Sequence, residues 1–168
     1  MSDPIADAPA DRVLILDFGS QVTQLIARRL RYSGVYCEIW PYHADPARIA
    51  AWRPRAIVLS GGPASVHEPG APLAPAEIFG LGVPILGICY GEQLLCHQLG
   101  GAVESHTQRE FGRAFIDITD DCALFHGVWP KGGREQVWMS HGDRVTRLPP
   151  GFRAVAATEG APFAAIAD

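Results

Sequence analysis

No stretch of this chain approaches the roughly 20 consecutive apolar residues that a bilayer-spanning helix requires. The 14 Lys and Arg residues form no basic block, and with 18 acidic residues the formal net charge is −4. Nucleic acid and anionic membrane surfaces are therefore poor candidates as partners. Cysteine is scarce: Cys37, Cys89, Cys96 and Cys122 include no Cys-x-x-Cys pair and no metal-ligand spacing with histidine. Neither a disulfide framework nor a metal centre is expected, and reduced thiols in a cytoplasmic setting are the natural reading. The first residues, Met1 to Asp11, lack the basic and apolar regions of a signal peptide and read as a short disordered tail. A phosphate-cradling Gly-x-x-x-x-Gly-Lys loop is also lacking, as are internal repeats and any linker long enough for a second domain. What is present is 168 residues with 48% hydrophobic and 19% charged content, enough for one globular domain with a proper core.

Taken in order, the chain alternates buried-strand and helix patterns. Val13-Leu14-Ile15-Leu16 is a continuous apolar run of the kind buried on both sheet faces, and it ends in the turn Asp17-Phe18-Gly19-Ser20. Val22, Leu25, Ile26 and Leu30 then fall at helical spacing, with Arg28, Arg29 and Arg31 on the polar side and Gly34 closing the helix. Val35–Trp40 reads as a second strand, and Asp45-Pro46 as an N-cap with proline at the first helical position. Ala56–Leu59 is the third strand, Pro75 opens a short helical piece, and Val83–Ile88 is the fourth strand. This alternation implies an α/β fold with a doubly wound, mostly parallel sheet and helices on both faces. Ligands of such sheets bind beyond the carboxyl ends of the strands, which groups the loops Asp17–Ser20, Ser60–Pro63 and Cys89–Gly91. After Gly100-Gly101 the pattern changes. Phe111–Thr119, Glu135–Ser140 and Phe152–Thr158 read as strands without intervening helices, an antiparallel extension in the C-terminal half.

The chemistry centres on Gly87-Ile88-Cys89-Tyr90-Gly91, where an apolar strand runs straight into a helix with one cysteine at the apex. Gly-x-Cys-x-Gly is the cysteine form of the nucleophile elbow, with glycines where backbones approach too closely for a Cβ. A helix N-terminus aimed at the sulfur is expected to ease its ionisation. The same pentapeptide also fits a buried cysteine that merely ends a core strand. Ser60-Gly61-Gly62-Pro63 fits half of an oxyanion hole, with the Tyr90 N–H as the other half; an ordinary strand-ending turn is the plain alternative. Met139-Ser140-His141-Gly142-Asp143 could present backbone and hydroxyl groups to a small polar ligand, or be a simple turn after a strand. His141 is open to a second assignment, as the base for Cys89. The remaining histidines fit solvated positions, and Glu92 fits a carboxylate opposing the helix dipole.

Four motifs in order (Asp17-Phe18-Gly19-Ser20-Gln21, Ser60-Gly61-Gly62-Pro63, Gly87-Ile88-Cys89-Tyr90-Gly91-x-Gln93 and Trp138-Met139-Ser140-His141-Gly142-Asp143) resemble those of class I (triad) glutamine amidotransferases. Together with an Arg109-Glu110-Phe111-Gly112 turn, they are most similar to the glutaminase domain of the GMP synthase subfamily. The resemblance spans Arg12 to Asp168. Departures are Glu92, where the family usually carries an apolar residue, and Val22 and Phe111, where tyrosine is common.

The resemblance implies hydrolysis of L-glutamine to glutamate and ammonia through a thioester on Cys89. Gly62 and Tyr90 N–H groups would hold the oxyanion, and Gly61, Gln93, Ser140, His141, Gly142 and Asp143 would bind the glutamine. The ammonia would pass to an ATP-pyrophosphatase (synthetase) domain or subunit that aminates XMP to GMP. No cofactor is implied for the glutaminase part, while ATP and Mg2+ are implied for the synthetase. The family's catalytic histidine and glutamate lie in a His-Pro-Glu motif downstream of Ser-His-Gly-Asp, and the sequence ends at Asp168 before one. A C-terminally incomplete amidotransferase domain over residues 12–168 is therefore expected, inactive by itself. The rival readings are an inactive amidotransferase-like regulatory or binding subunit, and another elbow-cysteine protein of similar layout.

Overall fold

The computed structural model describes residues 10–168, apart from the side chains of residues 106–111. The tail expected at residues 1–11 thus lies outside the described residues except for its last two. The chain falls into two compact units, one running to Leu94 and the other comprising Leu95–Asp168.

The first unit is built on a four-stranded parallel sheet ordered β2-β1-β3-β4, with β1 at Arg12–Asp17, β2 at Tyr36–Pro41, β3 at Ala56–Leu59 and β4 at Ile85–Gly87. Helix α1 (Thr23–Tyr32) joins β1 to β2, and α2 (Pro46–Trp52) joins β2 to β3. A 3₁₀ turn at Ala76–Gly80 precedes β4. Because β2 and β3 lie on opposite sides of β1, the sheet reverses its winding there. Right-handed crossovers then send α1 to one face and α2 to the other, where α2 packs on the 3₁₀ turn. The crevice of a doubly wound sheet opens at this reversal, beyond the carboxyl ends of β1 and β3.

Strand alternation distributes the apolar residues over both faces. Ile15 and Val58 form a buried cluster with Ala27 of α1 and Cys37. Leu14, Leu16, Ile57 and Leu59 take the opposite parity and are fully buried, as is Ile49 of α2. Each such side chain contributes roughly 1.5–3 kcal/mol by leaving water. Helix α2 starts as its sequence dictates, with Asp45 accepting the Ala47 N–H at 2.9 Å and proline in the first turn.

Helix α3 (Tyr90–Gln98) leaves β4 at the elbow and ends at Gly100, whose φ of 91° suits the left-handed exit. The second unit carries a separate four-stranded antiparallel sheet ordered β6-β5-β7-β8. Its strands are β5 (Ala102–Ile118), β6 (Arg134–Arg147), β7 (Arg153–Ala157) and β8 (Ala165–Ala167). Ile116, Ile118, Phe125, Val155 and Ala156 form its core. Two local expectations are corrected. Strand β5 runs through Arg109–Gly112, which the sequence suggests is a turn, and β6 runs through Met139–Asp143, the other candidate turn. A long hairpin ladder supplies strand hydrogen bonds that the local sequence does not advertise.

Candidate active site

Cys89 sits between β4 and α3 with φ of 56°, one of two non-glycine residues among those described that take positive φ. A residue with a Cβ holds that conformation only where its surroundings impose it. Those surroundings are visible. Upstream, the Ile88 N–H bonds the Leu59 carbonyl at 3.0 Å, extending the β3–β4 ladder to the brink of the turn. Downstream, the Cys89 carbonyl accepts from the Glu92 N–H at 3.0 Å and the Gln93 N–H at 3.2 Å, so Cys89 caps α3. Strand and helix meet so tightly that a Cβ on Gly91 would strike the Leu59 carbonyl, and one on Gly87 would lie 2.5 Å from the Gly91 oxygen. Both glycines of the pentapeptide are sterically required.

The neighbouring loop converges on the same point. The Cβ position of Gly61 is 3.4 Å from the Cys89 Cβ and 3.5 Å from Ser20 Oγ. Gly62 passes so close to the Phe18 carbonyl that no side chain fits. The three loops grouped from the sequence, Asp17–Ser20, Ser60–Pro63 and Cys89–Gly91, do gather at the end of the parallel sheet. Ser60 holds two of them together: buried, it accepts the Phe18 N–H at 2.9 Å and donates to the Gly61 carbonyl at 2.9 Å. Asp17 Oδ1 accepts from the Gly19 N–H at 3.0 Å and the Thr23 hydroxyl at 2.8 Å, which shapes the turn into α1.

Cys89 is exposed, whereas Cys37 and Cys96 are buried and Cys122 is half-buried. Its thiol does not ionise as easily as the helix N-terminus suggests. Desolvation by the crowded turn pushes it above the usual cysteine value, the Tyr90 N–H pulls it back in part, and the Glu92 charge pushes it further up. The side chain faces solvent, yet the atoms packed around the turn deny the sulfur full hydration. Glu92 is itself displaced: desolvation raises its carboxyl to about 8. Its Oε1 is enclosed with no hydrogen-bond partner among the described residues. The reading of Glu92 as a carboxylate complementing the helix dipole is thus corrected, since burial favours the neutral acid.

Tyr90 is buried, and its hydroxyl donates to the Pro72 carbonyl at 2.8 Å. Its ring lies 5.7 Å from that of Phe18, which stacks on Tyr42 at 5.6 Å. Gln93 is buried one residue beyond Glu92. In the second unit, Ser140, His141, Gly142 and Asp143 are consecutive residues of β6, with Ser140 exposed and the other three half-buried. Asp143 pairs with Ser105 across the ladder. Among the described residues no group of three or more His, Cys, Asp or Glu could hold a metal ion. None of their helices is long and apolar enough to cross a membrane.

The glutamine amidotransferase class-I family model matches residues 14–168. The chain belongs to the class-I glutamine amidotransferase family. It is 64% identical over 165 residues to the GMP synthase [glutamine-hydrolyzing] of Rhodopseudomonas palustris strain BisB18, covering 98% of this chain and 31% of that protein. The GMP synthase [glutamine-hydrolyzing] of Nitrobacter hamburgensis is 61% identical, again over 98% of this chain and 31% of the relative. The chain thus spans about a third of the length of the curated relatives it matches. A glutamine amidotransferase from Thermotoga maritima superposes with a TM-score of 0.73 at 23% identity, covering 95% of this chain and 72% of that one. This likeness shows the fold.

Within this amidotransferase domain, sequence reasoning located the elbow and its glycines but missed three supports. The Ser60 hydroxyl clamp and the Tyr90–Pro72 hydrogen bond depend on contacts between segments far apart in the chain, and the enclosure of Glu92 Oε1 is likewise not written in its local sequence. Only Ser60 left a trace, as a polar residue directly ending a fully apolar strand.

Proposed function

We propose that the chain is the glutaminase part of a glutamine-hydrolysing GMP synthase, releasing ammonia from L-glutamine for the amination of XMP to GMP. The observation that carries this reading is 64% identity, across 98% of the chain, to a protein named for that activity. The elbow supports it: an exposed cysteine at φ of 56°, capping a helix and flanked by two sterically required glycines.

In this reading the Cys89 sulfur attacks the side-chain carboxamide of glutamine. The Gly62 and Tyr90 N–H groups stabilise the oxyanion of the tetrahedral intermediate, which collapses to a γ-glutamyl thioester as ammonia departs. Water then attacks the thioester, releasing glutamate and restoring the thiol. Gly61 and Gln93 hold the substrate; Ser140, His141, Gly142 and Asp143 enter as substrate-binding residues through the family resemblance. The partner is the ATP- and Mg2+-dependent synthetase, and the setting is cytoplasmic.

The test joins this chain to the remaining two thirds of the Rhodopseudomonas palustris relative and supplies L-glutamine, ATP, Mg2+ and XMP. Glutamate and GMP should form in equal amounts, and Cys89→Ala should abolish both. Glutamate release that survives Cys89→Ala, or glutamate without GMP, overturns the reading.

A further inference from the structure

The first turn of α3 contains a group that the proposed chemistry does not use. The Glu92 backbone N–H is bonded to the Cys89 carbonyl at 3.0 Å, so the carboxyl is fixed within one helical turn of the sulfur-bearing residue. Its Oε1 is enclosed, and no donor among the described residues reaches it. The surrounding elements of the first unit supply no cation. Strands β3 (Ala56–Leu59) and β4 (Ile85–Gly87) and the loop Ser60–Pro63 carry no titratable side chain. The acid at the end of β1, Asp17, has its Oδ1 engaged by Gly19 and Thr23. Around Tyr90 the ionisable neighbours are Glu68 and Tyr42, neither of which adds positive charge. On α3 and its cap the other titratable residues are Cys89, Tyr90, Cys96 and His97. Ionised, the carboxyl would keep one enclosed oxygen without a hydrogen bond among the described residues, a cost that the neutral acid lessens.

We propose that Glu92 is a positioning residue acting on the protonation of Cys89: held within one helical turn of it, the carboxyl loses its proton before the thiol does and, once ionised, holds the thiol in its neutral form. The inference rests on the reading of Cys89 as the glutaminase nucleophile and makes the reactivity of that thiol climb less steeply with pH once Glu92 has ionised. The N-terminus of α3 favours one negative charge, and two acids stand within its first turn to take it. Burial places the carboxyl at about 8; burial is also what raises the thiol most, and the Glu92 charge adds to that rise. Below that value the neutral acid leaves the thiolate unopposed. Above it, the carboxylate competes for the same helix end.

Iodoacetamide reads this directly, because the Cys89 thiolate displaces iodide as the sulfur–carbon bond forms, with no glutamine turnover. A failure of the glutaminase reading would therefore leave this test intact. Alkylation of Cys89 is followed by peptide mass mapping in the whole chain, in Glu92→Gln and in Glu92→Met. Both variants should react at the wild-type rate near about pH 6.5 and about threefold faster near about pH 9, equivalent to half a pKa unit. Equal rates at both pH values overturn the proposal. So does the same excess at both, which marks a structural disturbance, or a slower variant. Divergence between Gln and Met also overturns it, since hydrogen bonding rather than charge would then be acting.

Discussion

The Ser60 hydroxyl accepts the Phe18 N–H at 2.9 Å, across 42 residues of sequence, and so fastens the carboxyl end of β3 to that of β1. Both loops that flank Cys89 in the first unit hang from this bond. Ser60 has no exposed surface, and its own proton goes to the Gly61 carbonyl at 2.9 Å. Ser60→Ala removes an acceptor and a donor at once and leaves the Phe18 N–H without its partner. Loss of about 1–3 kcal/mol is expected, the usual cost of an unsatisfied buried group. Urea unfolding of the variant should show a lower midpoint at unchanged slope; an unchanged midpoint would mean water replaces the hydroxyl.

A steric prediction separates the two kinds of glycine in this chain. At Gly91 a Cβ would strike the Leu59 carbonyl, a backbone atom that cannot swing aside. Gly34 closes α1 at φ of 77° with open space around it. Gly34→Ala should cost about 1–2 kcal/mol, the penalty for a left-handed residue bearing a Cβ. Gly91→Ala should cost about 3 kcal/mol or more, because strand and helix must separate. Comparable unfolding midpoints for the two variants would refute the close approach at the elbow.

The parallel sheet was legible because its strands are short runs of Val, Ile and Leu, bounded by turn residues, that bury both faces. The glycines at positions 87 and 91 announced the close backbone contacts at the elbow. The second unit was less legible. Ser140-His141-Gly142-Asp143 is polar and contains glycine, so its local pattern suggests a turn, yet the β5–β6 ladder draws it into a strand. β8 is three residues in an Ala-rich segment, too short for any periodicity to register. The thiol acidity was misjudged for a different reason. A helix N-terminus can be read from sequence, but the desolvation that outweighs it comes from β3 and the loop after it, packed against the turn.

Glu92 also makes a prediction about stability. Its folded-state pKa, about 8, lies above that of an unfolded glutamate, so the native chain retains a proton that the unfolded chain gives up. The stability held by this protonated carboxyl is complete below the unfolded pKa, near about 4.3, and is lost as pH rises toward about 8. Glu92→Gln cannot lose a proton and should gain on wild type steadily from about pH 5 to about pH 8, then keep a constant lead. Parallel stability curves for the two proteins across this range would show that Glu92 is ionised in the native state.

Exposure, more than acidity, should decide which cysteine reacts. Cys37 is buried with its sulfur 3.4 Å from the Ala27 carbonyl, and the Cys96 sulfur lies 3.4 Å from the Arg147 carbonyl beneath a glycine that cannot accept a Cβ. Neither can meet a reagent without local unfolding. Cys122 is half-buried in the second unit, and Cys89 is the exposed one. A brief pulse of a chloroketone analogue of glutamine near neutral pH should therefore modify Cys89 ahead of the other three. Because the Cys89 thiol is raised, the rate should still be climbing above about pH 8.5, the ordinary thiol value, where an activated cysteine would have levelled off. Free L-glutamine should slow the modification of Cys89 and leave that of Cys122 unchanged, since only one of them is assigned to the substrate. Mass mapping that finds Cys122 first, or equal protection of both, would detach the elbow from glutamine.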